Sequence, residues 1–280
     1  MLGRIIKHDI CYGISSNKIR YLSVIVTFVA INLNFYSTVN QLSIKYFDTY
    51  SVGVLNVWVH SLEGTGIFEP SLGMPFAIPM NWFVLQALLA LLIFSYPTQN
   101  LYGYGSQCLI RMEWRSIWWL SKCIWNLCTV ASFYLIGIIT TCLWALLNKR
   151  SLLEYSIQIS LSVSGINLSS YSLTEILMLT LLLPFLTSLA LSFIQMILSM
   201  VLSPIYGYFI VICNALISAY CYSPFLIANY SMMLRHESIT PNGYCIRMAI
   251  IVDSGVILLS VIGGLIYFMR CDILKTKKQG

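Results

Sequence analysis

The chain is short of charge. Only 9% of its 280 residues are charged, against 58% hydrophobic, and the mean hydropathy is +0.80. A soluble domain carries roughly 25% charged residues, so this chain lacks the side chains to cover a water-facing surface. It also has no GxxxxGK[ST] loop to cradle phosphates, no HExxH and no paired aspartates within an apolar run. Its 3 histidines fall outside the apolar runs, at His8, His60 and His236. The 9 cysteines show no zinc-like or CxxC spacing and read as small apolar residues. The net charge of +6 is spread too thinly for a nucleic-acid surface. A nucleotide-hydrolysing enzyme, a metalloprotease, a disulfide scaffold and a nucleic-acid binder are all disfavoured.

What the chain has is apolar runs long enough to cross a bilayer, which takes about 20 helical residues. The runs are continuously apolar rather than alternating, so helices are expected and a transmembrane β-barrel is not. The expected spans are 20–40, 79–96, 117–147, 175–202, 205–226 and 248–269. Pro97 is read as closing the second and Pro184 as kinking the fourth. Leu2, Ile5, Ile6 and Ile10 recur at helical spacing within 1–19, a segment expected to lie flat on a membrane, with Arg4 and Lys7 as anchors. With both ends inside, 11 of the 16 Lys and Arg fall on the cytoplasmic side, as the positive-inside rule requires. The expectation is an all-α integral membrane protein with six transmembrane helices, residues 20–280 forming one membrane domain, and both termini cytoplasmic.

Two segments stand apart. Between the second and third spans, Gly103 and Gly105 precede Ser106, which can cap a helix from Gln107. On that helix Arg111 and Arg115 lie one turn apart, as do Trp114 and Trp118. It reads either as a topology-fixing loop or as a rod that offers cations to a cytosolic partner and indoles, Trp118 and Trp119, to the headgroup layer. Residues 156–163, SIQISLSV, alternate strictly, which argues for an exposed strand or an irregular interfacial loop. Neutral polar residues dot the spans: Asn32, Asn34, Gln86, Ser188, Ser192, Gln195, Asn214 and Ser218. Each is an interhelical hydrogen-bonding group or part of a weakly polar path. Asp253 is the one acidic residue well inside a span, either an interface carboxylate or a group facing a cavity.

The segment GYGSQCLIRMEWRSIWWLSKCIWN, the stretch FLIANYSMMLRH after the fifth span and the closing GGLIYFMRCDIL together resemble the permease subunit of a type-2 ABC exporter. The similarity is to small Gram-positive permeases that export bacteriocins and amphipathic toxin peptides such as phenol-soluble modulins. That resemblance implies a subunit of a bacterial cytoplasmic-membrane transporter that is not itself an enzyme and holds no cofactor, ATP and Mg residing on two separate ABC ATPase subunits. It implies a second permease, identical or paralogous, an amphipathic peptide substrate and contact with membrane lipid, with no nucleic acid. The coupling helix would be about 107–118, with Gln107, Arg111, Glu113, Trp114, Arg115, Trp118 and Lys122 facing the ATPase. Asn32, Asn34, Gln86, Asn214 and Ser218 would be candidates for the path, and 224–243 would dip back into the outer leaflet. The segments 41–79 and 149–173 are longer than in minimal members and would form an outer cap or gate.

Overall fold

A computed structural model describes residues 2–43, 52–68, 76, 78–102, 105, 115–152, 154–168 and 171–270. Among them all regular structure is helical. Helix α1 is Leu2–Ser16, α2 Lys18–Ser43, α3 Val54–Leu62, α4 Met80–Ile93, α5 Tyr96–Tyr102 and α6 Arg115–Leu147. Then come α7 (Ile157–Ser164), α8 (Leu173–Leu177), α9 (Leu183–Val201), α10 (Pro204–Tyr220) and α11 (Ile246–Arg270). Five stretches are long and apolar enough to cross a membrane: Lys18–Leu42, Met80–Leu101, Arg115–Leu147, Leu173–Val201 and Ile246–Arg270. The expected fifth span is the shorter helix α10, whose 17 residues reach about 26 Å, just under the roughly 30 Å hydrocarbon core.

Two local expectations are corrected. Pro97 does not close the second span; after a bend at Phe94 and Ser95 it is the second residue of α5, and the apolar stretch runs on to Leu101. A proline is tolerated in a first helical turn because its missing N–H has no partner there anyway. Residues 156–163 form neither strand nor loop but helix α7, ended by Gly165 at φ +69°. A strand at a membrane edge would leave its ladder groups unpaired, whereas a helix satisfies its own and turns Ile159, Ser160 and Ser164 inward. At Pro184, expected to kink the fourth span, the helix is irregular. The chain passes through a π-helical turn, Met178–Leu182, directly before it. Pro184 has no N–H to give the carbonyl of Thr180, and the indole of Trp58 donates to that oxygen instead, at 2.8 Å.

That bond fixes the role of α3. Val57, Trp58, Val59 and Leu62 are buried, and Trp58 stacks on Phe28 with centroids 6.1 Å apart. Asn56 ties α3 to the start of α7: its amide donates to Ser156 O at 2.9 Å and its oxygen accepts from Ser156 N at 3.1 Å. The segment after the first span therefore sends a helix into the bundle. The span that ends in α9 is 61% buried in its most apolar window and α11 only 22%, so α9 is the central post and α11 an outer one.

Candidate functional site

Helix α6 has 33 residues and a length of about 50 Å, well over the hydrocarbon thickness, so one end projects beyond it. Near its start, Lys122 is fully buried and faces Asp9 of α1, itself 1% exposed. The ammonium donates to Asp9 Oδ1 at 2.7 Å. The Tyr96 hydroxyl donates to the same oxygen at 2.9 Å, and Ser121 Oγ donates to Oδ2. The ammonium also sits 5.2 Å from the Tyr96 ring centroid and 5.1 Å from that of Trp118. A buried ion pair repays its desolvation only when the remaining lone pairs and protons are also satisfied, and here both carboxylate oxygens are.

The sequence places Asp9, Gly13 and Asn17 at i, i+4 and i+8, so they share one helical face, and all three are buried. Gly13 lies against the Trp125 indole, where a Cβ would come within 2.2 Å of Nε1. Asn17 accepts from Arg20 at 2.8 Å, and Arg20 also donates to Ser95 Oγ at 3.1 Å. The polar face of α1 is thus seated on α5 and α6, while Arg4, Lys7 and Lys18 remain exposed.

A second buried cation lies between α10 and α11. Among the described residues Arg235 has no carboxylate partner. Its Nη2 donates to Ala219 O at 2.8 Å, Nη1 to Cys221 O at 3.1 Å, and Nε to Thr65 O at 3.0 Å. Nη1 further reaches Ser218 O and Asn229 Oδ1. The carbonyls of 218, 219 and 221 are the open end of α10, where a helix presents partial negative charge. Burial pushes this guanidinium down to about 10, so it keeps its charge at neutral pH. Next to it, His236 faces two carbonyls, Tyr230 O at 2.9 Å and Tyr244 O at 3.3 Å. Burial holds its imidazole below the ordinary value despite both acceptors.

Inside the bundle a neutral polar seam joins α4, α6 and α9. Tyr134 OH lies 2.8 Å from both Ser188 Oγ and Pro184 O. Asn126 donates to Ser192 Oγ at 2.8 Å, and Gln195 to Ala90 O at 2.7 Å. A cavity of about 10 Å³ opens between Gln86, Ser188, Ser192 and Gln195, the size of a single water site. Thr187 donates to Asp253 Oδ2 at 2.6 Å, so this carboxylate faces the α9 post and is fully buried.

The residues expected to line one path are not brought together. Asn32 is buried and donates back to Phe28 O at 2.6 Å. Gln86 belongs to the inner seam. Asn214 accepts from Ala228 N at 3.3 Å, and Ser218 lies by Arg235. Asn34 is the exception: it is exposed and lines, with Thr27, Ala30, Met80, Asn81 and Val84, a groove of about 380 Å³ between α2 and α4. Of the expected coupling residues, Gln107, Arg111, Glu113 and Trp114 lie outside the described residues. Arg115 opens α6. Trp118 and Trp119 face the protein, not the headgroups. Trp118 donates to Asn100 Oδ1 at 3.3 Å, Trp119 to Val261 O at 2.9 Å, and both rings pack on Phe268. Lys122 is sequestered by Asp9 and is not on a docking surface. Asp9, Tyr96, Ser121 and Arg235 escaped the sequence reading. The polar stripe Asp9/Gly13/Asn17 on an otherwise apolar helix was the available signal for the first.

Fold and composition thus define a chain that is helical among its described residues, with five stretches long and apolar enough to cross a membrane. No family model, no curated protein and no solved structure matches this chain.

Proposed function

We propose that this chain is the membrane subunit of an ATP-driven exporter of the type-2 ABC class, moving an amphipathic peptide with a second permease and two separate ATPases. One observation carries the reading. The buried Asp9–Lys122 cluster joins α1 to α5 and α6, the two helices that flank in sequence the cationic, indole-rich segment between the second and third apolar stretches. A partner pushing on that segment would act on three helices at once, and a ligand shifts a two-state protein only through contacts that differ between the states. The basic ends would lie in the bacterial cytoplasm, and α10 would complete a set of six spans. The groove between α2 and α4, with Asn34 exposed in an apolar wall, is the surface we assign to the path.

The test is transport in proteoliposomes with the co-purified ATPase. Arg111→Glu combined with Arg115→Glu should abolish ATP-dependent export while the protein stays in the membrane; unchanged export contradicts the reading. A lipid or small apolar drug is the second candidate cargo. It is favoured by a groove of about 390 Å³ lined by Tyr134, Leu177, Leu181, Leu182 and Phe185, almost wholly apolar.

A further inference from the structure

We propose that Asp9 and Lys122 are positioning residues, a buried ionic latch that makes α1 a moving part of the coupling apparatus instead of a passive membrane anchor. The inference rests on the exporter reading for its functional half and on geometry alone for its structural half.

Asp9 is the hub. Its two oxygens take donors from α5 (Tyr96) and from α6 (Ser121 and Lys122), so one carboxylate joins the N-terminal helix to both elements that flank residues 103–114. Gly105 closes the same corner: a Cβ there would come within 2.9 Å of Trp118 Nε1 and 2.5 Å of Asn100 O. One turn beyond Asp9, Gly13 lets α1 lie directly on Trp125, so the helix has a seat as well as a bolt. An apolar contact of the same size would hold α1 with graded strength. An ion pair with both partners buried does not slide: separating it forfeits a strong attraction between two charges held in a low-dielectric site. Such an all-or-none contact is what a bistable element requires, since packed interfaces switch between discrete arrangements and do not deform continuously. Any displacement of residues 103–114 large enough to shift α5 against α6 therefore carries α1 along or breaks the latch.

The informative variant is the double Asp9→Asn/Lys122→Met, which removes the latch without stranding a charge and so costs less stability than either single change. It is compared with wild type as the full chain in mild detergent. Lys7 and Lys18 are exposed on α1 and its junction with α2, so limited trypsin digestion reads whether the helix is held. The latch predicts cleavage at these sites about tenfold faster or more in the double variant, because local opening limits proteolysis. It also predicts that co-purified ATPase stays bound while its stimulation by amphipathic peptide is lost. Unchanged cleavage overturns the latch. Faster cleavage with wild-type stimulation shows a merely structural seat and overturns the coupling role. Wild type that purifies without any ATPase overturns the exporter reading, and the cleavage comparison then decides the latch by itself.

Discussion

Among its described residues the protein buries two cations and neutralises them in opposite ways. Lys122 meets a carboxylate, with Tyr96 and Ser121 completing the shell, across 113 residues of sequence. Arg235 meets no carboxylate; its planar fork is spread over carbonyl oxygens at the end of α10 and the oxygen of Asn229. The difference follows from side-chain chemistry. An ammonium is a compact point charge that needs one concentrated partner, whereas guanidinium has five donors in fixed directions and can be satisfied by several dipoles. It also separates two kinds of joint. The first concentrates its charge pairing on one carboxylate of another element. The second is distributed, so that losing one acceptor leaves most of the contact in place.

Breaking the first joint should have the largest effect. Asp9→Asn or Lys122→Met alone leaves the opposite charge buried and should cost about 3–5 kcal/mol, read as a fall in thermal stability in detergent; the double change should cost less than either single one. At the second joint, Arg235→Met strips the donor from the α10 carbonyls and from Thr65 O, with an expected loss of about 1–3 kcal/mol. Arg235→Lys should recover only part of it, since an ammonium cannot reach acceptors so widely spread.

A neutral contact gives the comparison a baseline. Trp58→Phe removes the donor that satisfies Thr180 O and should cost about 1–3 kcal/mol. In a Pro184→Ala background, where a backbone N–H is restored to that carbonyl, the same change should cost clearly less, and equal costs would refute the assignment. The smallest effect lies beside Arg235. His236 is held neutral by burial, so its folded value is depressed and the unfolded chain takes up the proton first. Its contribution is present above the ordinary imidazole value of about 6.5 and fades as pH falls below it. The melting temperature should therefore drop more steeply on acidification in wild type than in His236→Gln.

How much of this was legible depends on the range of each interaction. The apolar stretches follow from composition, and their starts at Lys18, Leu173 and Ile246 lie within about two residues of where hydropathy puts them. Pro184 announces an irregularity, yet nothing local says that Trp58, 122 residues before Thr180, answers it. The alternation in 156–163 misled because a period of two signals a strand only where another strand is available to pair with. Lys122 read as one more surface cation because its partner is a single acid in a basic N-terminal helix. Trp118 and Trp119 have the composition of an interfacial belt, and only the packing of Phe268 against them turns them inward. Long-range polar pairing was the part hidden from the sequence, and it is what builds the site.

The most direct test of the central claim is purification of the tagged full-length chain from its native membrane in mild detergent, with ATPase activity measured with and without amphipathic peptide. The account predicts a co-purifying ABC ATPase in equal stoichiometry whose activity rises with peptide. A chain that purifies alone and transports in liposomes without ATP would contradict it.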